Sequence, residues 1–168
     1  MKHKPDLVIS GINLGANDGC SVFYSGTVAG AREGAILGIP SIAVSLATFV
    51  DPDFAYAAKI AARLARVLTK RKMPSGTFLN VNIPAQPVSR IKGIKITRQG
   101  MEPIHSTFYK RTDPHSRNYY WMSGKMPPAE SDLAIDTYAL SRHYITVTPI
   151  HCDFTDYMFL NELAQWKI

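Results

Sequence analysis

The chain has 168 residues, of which 46% are hydrophobic, and its formal net charge is +6 at neutral pH. That length and apolar content suit a single soluble domain over residues 1–168. No apolar run reaches the roughly 18 residues of a membrane-spanning helix, and no apolar signal core follows Met1. We therefore expect a cytoplasmic protein without a membrane partner.

The first predicted elements are a strand, a loop rich in Gly and Asn, a helix and a second strand. Residues 6–10 contain the short apolar run Leu7-Val8-Ile9, which suits a strand buried on both faces of a parallel sheet. A helical pattern begins at Ser25 and stops at Gly38 and Pro40, and residues 41–46 form the next buried strand. The apolar side of this helix is predicted to comprise Val28, Ala31, Ala35, Ile36 and Leu37.

A second helix and a third strand follow. The helix is predicted to open at Asp51-Pro52, and residues 78–83 are a strand that ends before Pro84. Its apolar stripe is predicted to comprise Ala57, Ile60, Ala61, Leu64, Val67 and Leu68. The alternation of strand, helix and strand indicates an α/β layered fold.

The character of the chain changes after Pro87. Residues 91–98 and 119–122 are predicted strands on either side of a polar excursion over residues 102–118, so we expect a protruding arm over residues 99–125. Residues 144–150 are the last predicted strand, and residues 154–168 contain a C-terminal helix. The buried stripe of that helix is predicted to comprise Tyr157, Leu160, Leu163 and Ala164.

The positive charge is concentrated between Asp53 and Glu102, where ten Lys or Arg residues and no Asp or Glu occur. One interpretation is a surface for nucleic acid or another polyanion. The other is a solvated helix face, which we favour because no aromatic residue is interleaved between Tyr56 and Phe78 for base stacking.

The loop after the first strand indicates an anion site. Ser10-Gly-Ile-Asn-Leu-Gly-Ala-Asn17 follows a parallel strand, which is where open α/β sheets bind ligands. Ser25 can cap the next helix, Gly26 leaves its first turn uncrowded, and Thr27 offers a hydroxyl beside free amides. Such segments are often only caps and turns, but their combination favours phosphate.

These segments together resemble the SurE nucleotidases, metal-dependent phosphatases that act on nucleoside monophosphates. The resemblance rests on Pro5-Asp-Leu-Val-Ile-Ser-Gly-Ile-Asn-Leu-Gly-Ala-Asn17, on Tyr24-Ser-Gly-Thr-Val-Ala29 and on Gly38-Ile-Pro-Ser-Ile-Ala-Val-Ser45. It continues through residues 79–84, 92–98, 131–132 and 144–153, and so covers nearly the whole chain.

The resemblance implies a Rossmann-like α/β fold whose partly parallel sheet has flanking helices, with a β-hairpin arm, a C-terminal helix, and the family's N-terminal strands absent. It implies that Asn13 is a divalent-metal ligand and that Asn17, Ser25, Gly26 and Thr27 bind the substrate phosphate. The expected cofactor is one Mg²⁺ or Mn²⁺ per subunit, since an amide oxygen is a hard ligand suited to either ion. The expected assembly is a homodimer or homotetramer that exchanges the arm and the C-terminal segment.

One family feature is absent from these 168 residues. The resemblance implies an apolar strand ending in Asn-Asp-Asp-Gly, whose aspartates hold the metal, and no Asp-Asp pair occurs in the chain. A lone neutral amide does not offset the dehydration of a divalent ion, so we expect impaired hydrolysis and leave the catalytic residues unassigned. Asp18, the nearest carboxylate by sequence, is more typical of a turn. Residues 7–9 would then form an open edge, and we expect marginal stability.

Two alternatives to a metal-dependent nucleotidase stay open. The chain could be a non-catalytic remnant that keeps the phosphate loop or the oligomer interface. It could also be a nucleic-acid binder that uses the basic residues 59–98.

Overall fold

The computed structural model describes residues 3–103, 105–125 and 131–167. The predicted domain boundaries, arm and C-terminal helix also include residues 1, 2, 104, 126–130 and 168, which lie outside the described residues. The strands are β1 (Val8–Leu14), β2 (Ser41–Ala47), β3 (Thr77–Pro84), β4 (Ile94–Ile96), β5 (His105–Thr112), β6 (Asn118–Lys125) and β7 (Ile145–His151). The helices are α1 (Gly26–Ile36), α2 (Ala55–Leu68), α3 (Asp136–Ser141) and α4 (Tyr157–Leu163).

The main sheet of the described residues has the strand order β1-β2-β3-β7-β4. Strands β1, β2 and β3 are parallel, β7 is antiparallel to β3, and β4 is parallel to β7. The predicted α/β class with a partly parallel sheet and flanking helices is therefore confirmed. We call the side of the sheet where β1, β2 and β3 end the carboxyl edge, since parallel strands bring their carboxyl ends together there.

The two faces of the sheet differ in polarity. The face that α2 covers is apolar and holds the larger core cluster, which includes Val44, Val81, Ile83 and Val147. The face that α1 covers has a smaller apolar cluster around Ala31, Ala43 and Phe78. Beside that cluster lie buried polar side chains: Ser45, Asn80, Asn82, Thr97, Thr146 and Thr148.

Strand β1 differs from its prediction in two ways. It continues to Leu14 rather than ending at Ser10. It is also not buried on both faces, because it pairs only with β2 among the described residues and Ile9 is 42% exposed. The expected open edge is present, and β2 is buried from Ser41 to Leu46 as predicted.

Both central helices are confirmed, with corrections to their buried sides. Helix α2 begins at Ala55 rather than at Asp51-Pro52, and the Asp53 carboxylate accepts a hydrogen bond from the Ala55 amide. Val67 of its predicted stripe is 43% exposed. Helix α1 packs through Val28, Ala31, Gly34 and Ala35, whereas Ile36 and Leu37 are exposed because each residue turns about 100° around the helix from the one before.

The second half of the chain departs most from its prediction. β4 covers only Ile94–Ile96 of the predicted strand 91–98. The predicted β-hairpin arm is confirmed, since β5 pairs with β6 in a separate two-stranded sheet, although β5 lies within the stretch predicted as a polar excursion. Helix α3 had no clear periodic signal. The predicted buried stripe of α4 is wrong, because α4 has no buried residue. None of the described helices combines the length and apolarity needed to cross a bilayer.

Candidate phosphate site at the carboxyl edge

Two glycines fix how α1 lies on β1. A Cβ at Gly34 would press on the side chain of Val8, and one at Gly30 would lie 2.7 Å from Ser10 Oγ. Helix and strand therefore run in opposite directions in close contact. From Gly30 back to Gly26 the helix advances four residues, or about 6 Å, which is also about the length of two strand residues. Gly26 therefore lies at a level about two strand positions beyond Ser10. The first turn of α1 thus reaches the carboxyl edge beside Asn13.

A β-bulge in β1 turns Asn13 toward this helix. Ser10 is paired with Ala43, and Asn13 with Ser45, so β1 uses three residue steps where β2 uses two. Without the extra residue, Ile12 would occupy the α1 face and Asn13 the apolar α2 face, because side chains alternate along a strand. Instead Ile12 packs against the α2-side core, and Asn13 shares a face with Ser45.

The orientation of the Asn13 amide is set by two hydrogen bonds. Its Nδ2 donates to the carbonyl oxygens of Leu14 and Gly15, each at 2.9 Å. The side-chain oxygen Oδ1 is therefore directed away from these carbonyls, which is the orientation that a cation ligand or an acceptor of a water proton requires.

Among the described residues, the first turn of α1 has open space and main-chain N–H groups without a hydrogen-bond partner. Ser25 caps the helix by accepting a hydrogen bond from the Val28 amide at 3.1 Å, as the sequence predicted. The amides of Gly26 and Thr27 precede the first internal bond, which runs from Ala29 N–H to Ser25 O. A Cβ at Gly26 would meet nothing within 4 Å. An anion can therefore approach these amides at the positive end of the helix dipole.

Asn17 anchors the segment between β1 and α1, residues 15–25, which we call the Asn17 loop. Its backbone N–H donates to Asn82 Oδ1 at 2.8 Å, and its carbonyl accepts from Asn82 Nδ2 at 3.1 Å and Asn80 Nδ2 at 2.6 Å. Its own Nδ2 donates to Ser45 Oγ at 2.8 Å. Asn17 is buried, so it holds the loop against the sheet.

Asp136 at the start of α3 holds the next part of the loop. This carboxylate is fully buried and accepts hydrogen bonds from the amides of Gly19 and Gly100, at 3.1 and 2.8 Å. Burial raises its pKa, although these amides oppose the shift. Burial, followed by the charge of Asp136, raises the pKa of Asp18 to about 6. The acidic groups beside the loop thus hold protons more tightly than free carboxyls do.

The described residues do not complete a divalent-metal site. Asn13 offers one neutral oxygen, and within the described ranges no three His, Cys, Asp or Glu side chains form a group able to hold a metal ion. Mg²⁺ and Mn²⁺ require more oxygen ligands and compensating negative charge. The donor set of this chain therefore does not fit such an ion by itself.

A cleft of about 320 Å³ adjoins the loop at the carboxyl edge, lined by residues that include Asp18, Ala47, Gln86 and His143. A larger cleft of about 630 Å³ lies at the opposite edge, near Gly38 and Leu68. Helices α1 and α2 end there, and the negative ends of their dipoles oppose the attraction of Arg71 and Lys72, which line this cleft, for a phosphate. The smaller cleft is the better candidate for a group attached to a phosphate on α1, because it lies at the edge where that helix begins.

The predicted site residues lie at one edge of the sheet, but the sequence did not predict the side chains that hold the loop in place. Asn13 and the first turn of α1 reach the same level of the sheet, and the Asn17 loop joins them. The side chains that hold this loop, from Ser45, Asn80, Asn82 and Asp136, lie 28 to 117 residues from their partners. One signal was available, since two asparagines inside the otherwise apolar β3 are unusual for a buried strand.

Comparisons by family model, by sequence and by structure all find similarity to proteins named SurE. The family model "Survival protein SurE" matches residues 1–106. The "5'-nucleotidase SurE" of Chlorobaculum tepidum is 48% identical over 98% of this chain, and that of Syntrophobacter fumaroxidans is 44% identical over 100%. The chain spans 63% and 67% of the lengths of these two relatives. The crystal structure of the SurE protein from Aquifex aeolicus is 40% identical, with a TM-score of 0.80 over 96% of this chain and 65% of that one.

Proposed function

The chain belongs to the SurE family, and from this membership and the geometry of the carboxyl edge we propose that it serves the hydrolysis of nucleoside monophosphates as a 5'-nucleotidase-type phosphomonoesterase. The observation that carries the proposal is the packing of Gly30 over Ser10 together with the bulge that turns Asn13 to the α1 face, from which Asn13 and the first turn of α1 lie at the same edge of the sheet. The relatives supply the reaction class, since both bear the name 5'-nucleotidase.

The phosphate part of the substrate would lie on the first turn of α1. The amides of Gly26 and Thr27 precede the internal hydrogen bonds of the helix and would donate to an anion there, and Thr27 adds a hydroxyl. Asn17 keeps the preceding loop in place through its bonds to β2 and β3. The nucleoside part would occupy the cleft beside Asp18, whose volume of about 320 Å³ suits a small organic group.

A divalent ion remains part of the proposal as a prediction. Asn13 Oδ1 would be one ligand of Mg²⁺ or Mn²⁺, with one ion per subunit, and such an ion polarises phosphoryl oxygens and activates water. The remaining ligands are not grouped in the described residues, so no step is assigned through the metal. What this chain's own groups do is bind the phosphate, orient it and fix the Asn13 oxygen beside it.

Release of inorganic phosphate from AMP and GMP in the presence of Mn²⁺ tests the proposal. Because the metal ligands are incomplete in the described residues, we expect slow but measurable turnover in the wild-type chain. It should fall at least about tenfold further in Asn13→Ala, because the edge then loses its oxygen donor. Val67→Ala, at an exposed position on α2 away from the carboxyl edge and from α4, is the control and should retain turnover. Equal rates in the wild-type protein and Asn13→Ala would contradict the assigned role of Asn13.

A second candidate function is phosphate or nucleotide binding without turnover. The incomplete group of metal ligands among the described residues favours it. Binding of AMP to the wild-type protein without phosphate release at any Mn²⁺ concentration would support this candidate over the first.

The remaining partner predictions concern self-association, nucleic acid and location. The arm strands and α4 expose large apolar side chains, among them Trp121, Phe159 and Leu160, which supports a homodimer or homotetramer formed through these segments. The basic residues of α2 are solvent-exposed, as both a solvated face and a nucleic-acid surface require. We keep the solvated-face interpretation because no aromatic residue for base stacking is interleaved among them. We place the protein in the cytoplasm, as its sequence predicted.

A further inference from the structure

Two asparagines occupy the middle of β3, which lies between β2 and β7 in the sheet. Asn80 and Asn82 are both 0% exposed. Asparagine is disfavoured in strands, and a buried amide costs free energy unless its donors and acceptor are paired. Their presence therefore requires a reason other than the formation of the strand.

Both side chains bind the main chain of one loop residue. Asn82 accepts from the backbone N–H of Asn17 and donates to its carbonyl, so it pairs with Asn17 as a neighbouring strand would. Asn80 donates to the same carbonyl at 2.6 Å. The Asn17 loop, which has no strand beside it at this point, thus obtains its main-chain partners from side chains.

The structure of Asn80 shows that this arrangement is not optimal for stability. Its Oδ1 is buried and has no hydrogen-bond partner in the described part of the chain. An unpaired buried acceptor destabilises a protein, so an apolar residue here would be better for the fold alone. An asparagine at position 80 is explained if its hydrogen bond to Asn17 contributes to the function of the Asn17 loop.

We propose that Asn80 and Asn82 are positioning residues for phosphate binding, which hold the Asn17 loop so that Asn13 and the first turn of α1 stay in register. This proposal rests on the proposed function. Neither asparagine needs to touch the substrate. Their role is to keep the donors in place before binding, since ordering a mobile loop at the moment of binding would weaken affinity.

The test is the affinity for orthophosphate and AMP, measured by calorimetry on the folded chain at pH 8 and pH 5. Asn82→Asp replaces the N–H donor to the Asn17 carbonyl with a carboxylate oxygen, which repels that carbonyl. Protonation of the new carboxylate at low pH restores a donor. Affinities are compared as variant-to-wild-type ratios at each pH. Titration of Asp18 and Asp136 occurs in both proteins, so the ratio largely removes its contribution.

We expect Asn82→Asp to bind about tenfold or more weakly than wild type at pH 8 and within about twofold of it at pH 5. Asn80→Ala removes the unpaired oxygen as well as one bond, so it should fold and bind severalfold more weakly at both pH values. Thr97→Val is the matched control, because it removes the buried Thr97–Thr148 bond on the same face without touching the loop. It should lose stability and keep its affinity.

Three results would count against the proposal in different ways. Wild-type affinity in Asn80→Ala and in Asn82→Asp at pH 8 would overturn the positioning role and leave the phosphate site standing. An equal loss of affinity in Thr97→Val would show a general effect of core stability and would overturn it as well. No binding of orthophosphate or AMP by the wild-type chain would overturn the proposed site and this inference together.

Discussion

The carboxyl group of Asp18 makes the free energy of unfolding depend on pH. Its pKa is raised to about 6 by burial first and by the charge of Asp136 second, against an ordinary value near 3.9. Between about pH 4 and pH 6, the unfolded chain has released this proton while the folded chain retains it. The free energy of unfolding therefore falls as pH rises through this window and stays lower above it.

Asp18→Asn should remove this pH dependence. We expect the variant to exceed wild type by about 2 kcal/mol in free energy of unfolding at pH 7.5, and to match it at pH 4. Urea denaturation at the two pH values measures the difference. The account of Asp18 fails if the variant is less stable at pH 7.5, or if its advantage is the same at both pH values.

Rules that use only neighbouring residues predict the role of Ser25 but not the roles of residues that bond to distant parts of the chain. The Ser25 cap follows from its position before a helical pattern, and its bond to Val28 spans three residues. The bonds from Asn17 to Asn82 and from Gly19 to Asp136 span 65 and 117 residues. No periodicity or turn rule reaches that far. The sequence therefore predicts a phosphate loop, which stays a prediction, but it does not predict which distant side chains hold that loop.

Among the elements, the bulge in β1 matters most for the site. It shifts Asn13 onto the α1 face, and Gly11 lies inside it with φ near +120°. A Cβ at this position would overlap the carbonyl oxygen of Val44 on β2. Glycine is thus required by both the backbone conformation and the close approach of the two strands.

Gly11→Ala should destabilise the fold by at least about 2 kcal/mol, through backbone strain and displacement of β2. Gly26→Ala is the matched control, since a Cβ there meets nothing within 4 Å and alanine favours helix. Chemical denaturation of both variants gives the comparison. Similar stability of Gly11→Ala and Gly26→Ala would show that the bulge does not need glycine.

The burial of a strand or helix was predicted correctly where the rest of the fold covers its apolar side chains. The apolar run of β2 is buried as expected, because neighbouring strands and both helices cover it. Strand β1 is only partly buried and helix α4 is exposed, although both were predicted to be buried. Their burial depends on surfaces that their own sequence does not encode. Helix α3 is six residues long, which is too short for a clear periodic signal.

At the scale of the whole molecule, the exposed apolar surface requires an explanation. Every residue of α4 is exposed, including Met158 at 90% and Leu160 at 50%. The open edge at β1 adds to this surface. We therefore expect the chain to associate, or to be marginally stable as a monomer.

Leu160→Asp should shift the chain toward smaller species in sedimentation velocity, because a charge would be placed in the apolar contact between subunits. Val67→Asp on α2 changes a similarly exposed apolar residue outside that contact and should leave the assembly unchanged. A wild-type chain that sediments as a monomer and unfolds cooperatively at high temperature would contradict the expectation.

The central claim is that the carboxyl edge, with Asn13, the Asn17 loop and the first turn of α1, binds phosphate. The most direct measurement is a titration of the ¹⁵N-labelled chain with AMP, followed by amide chemical shifts. We expect saturable shifts concentrated at Asn13, Asn17, Gly26 and Thr27, which weaken in Gly26→Ala because a Cβ would occupy the space open to the anion. Shifts centred on the opposite cleft near Gly38 and Arg71, or no saturable shifts at all, would contradict it.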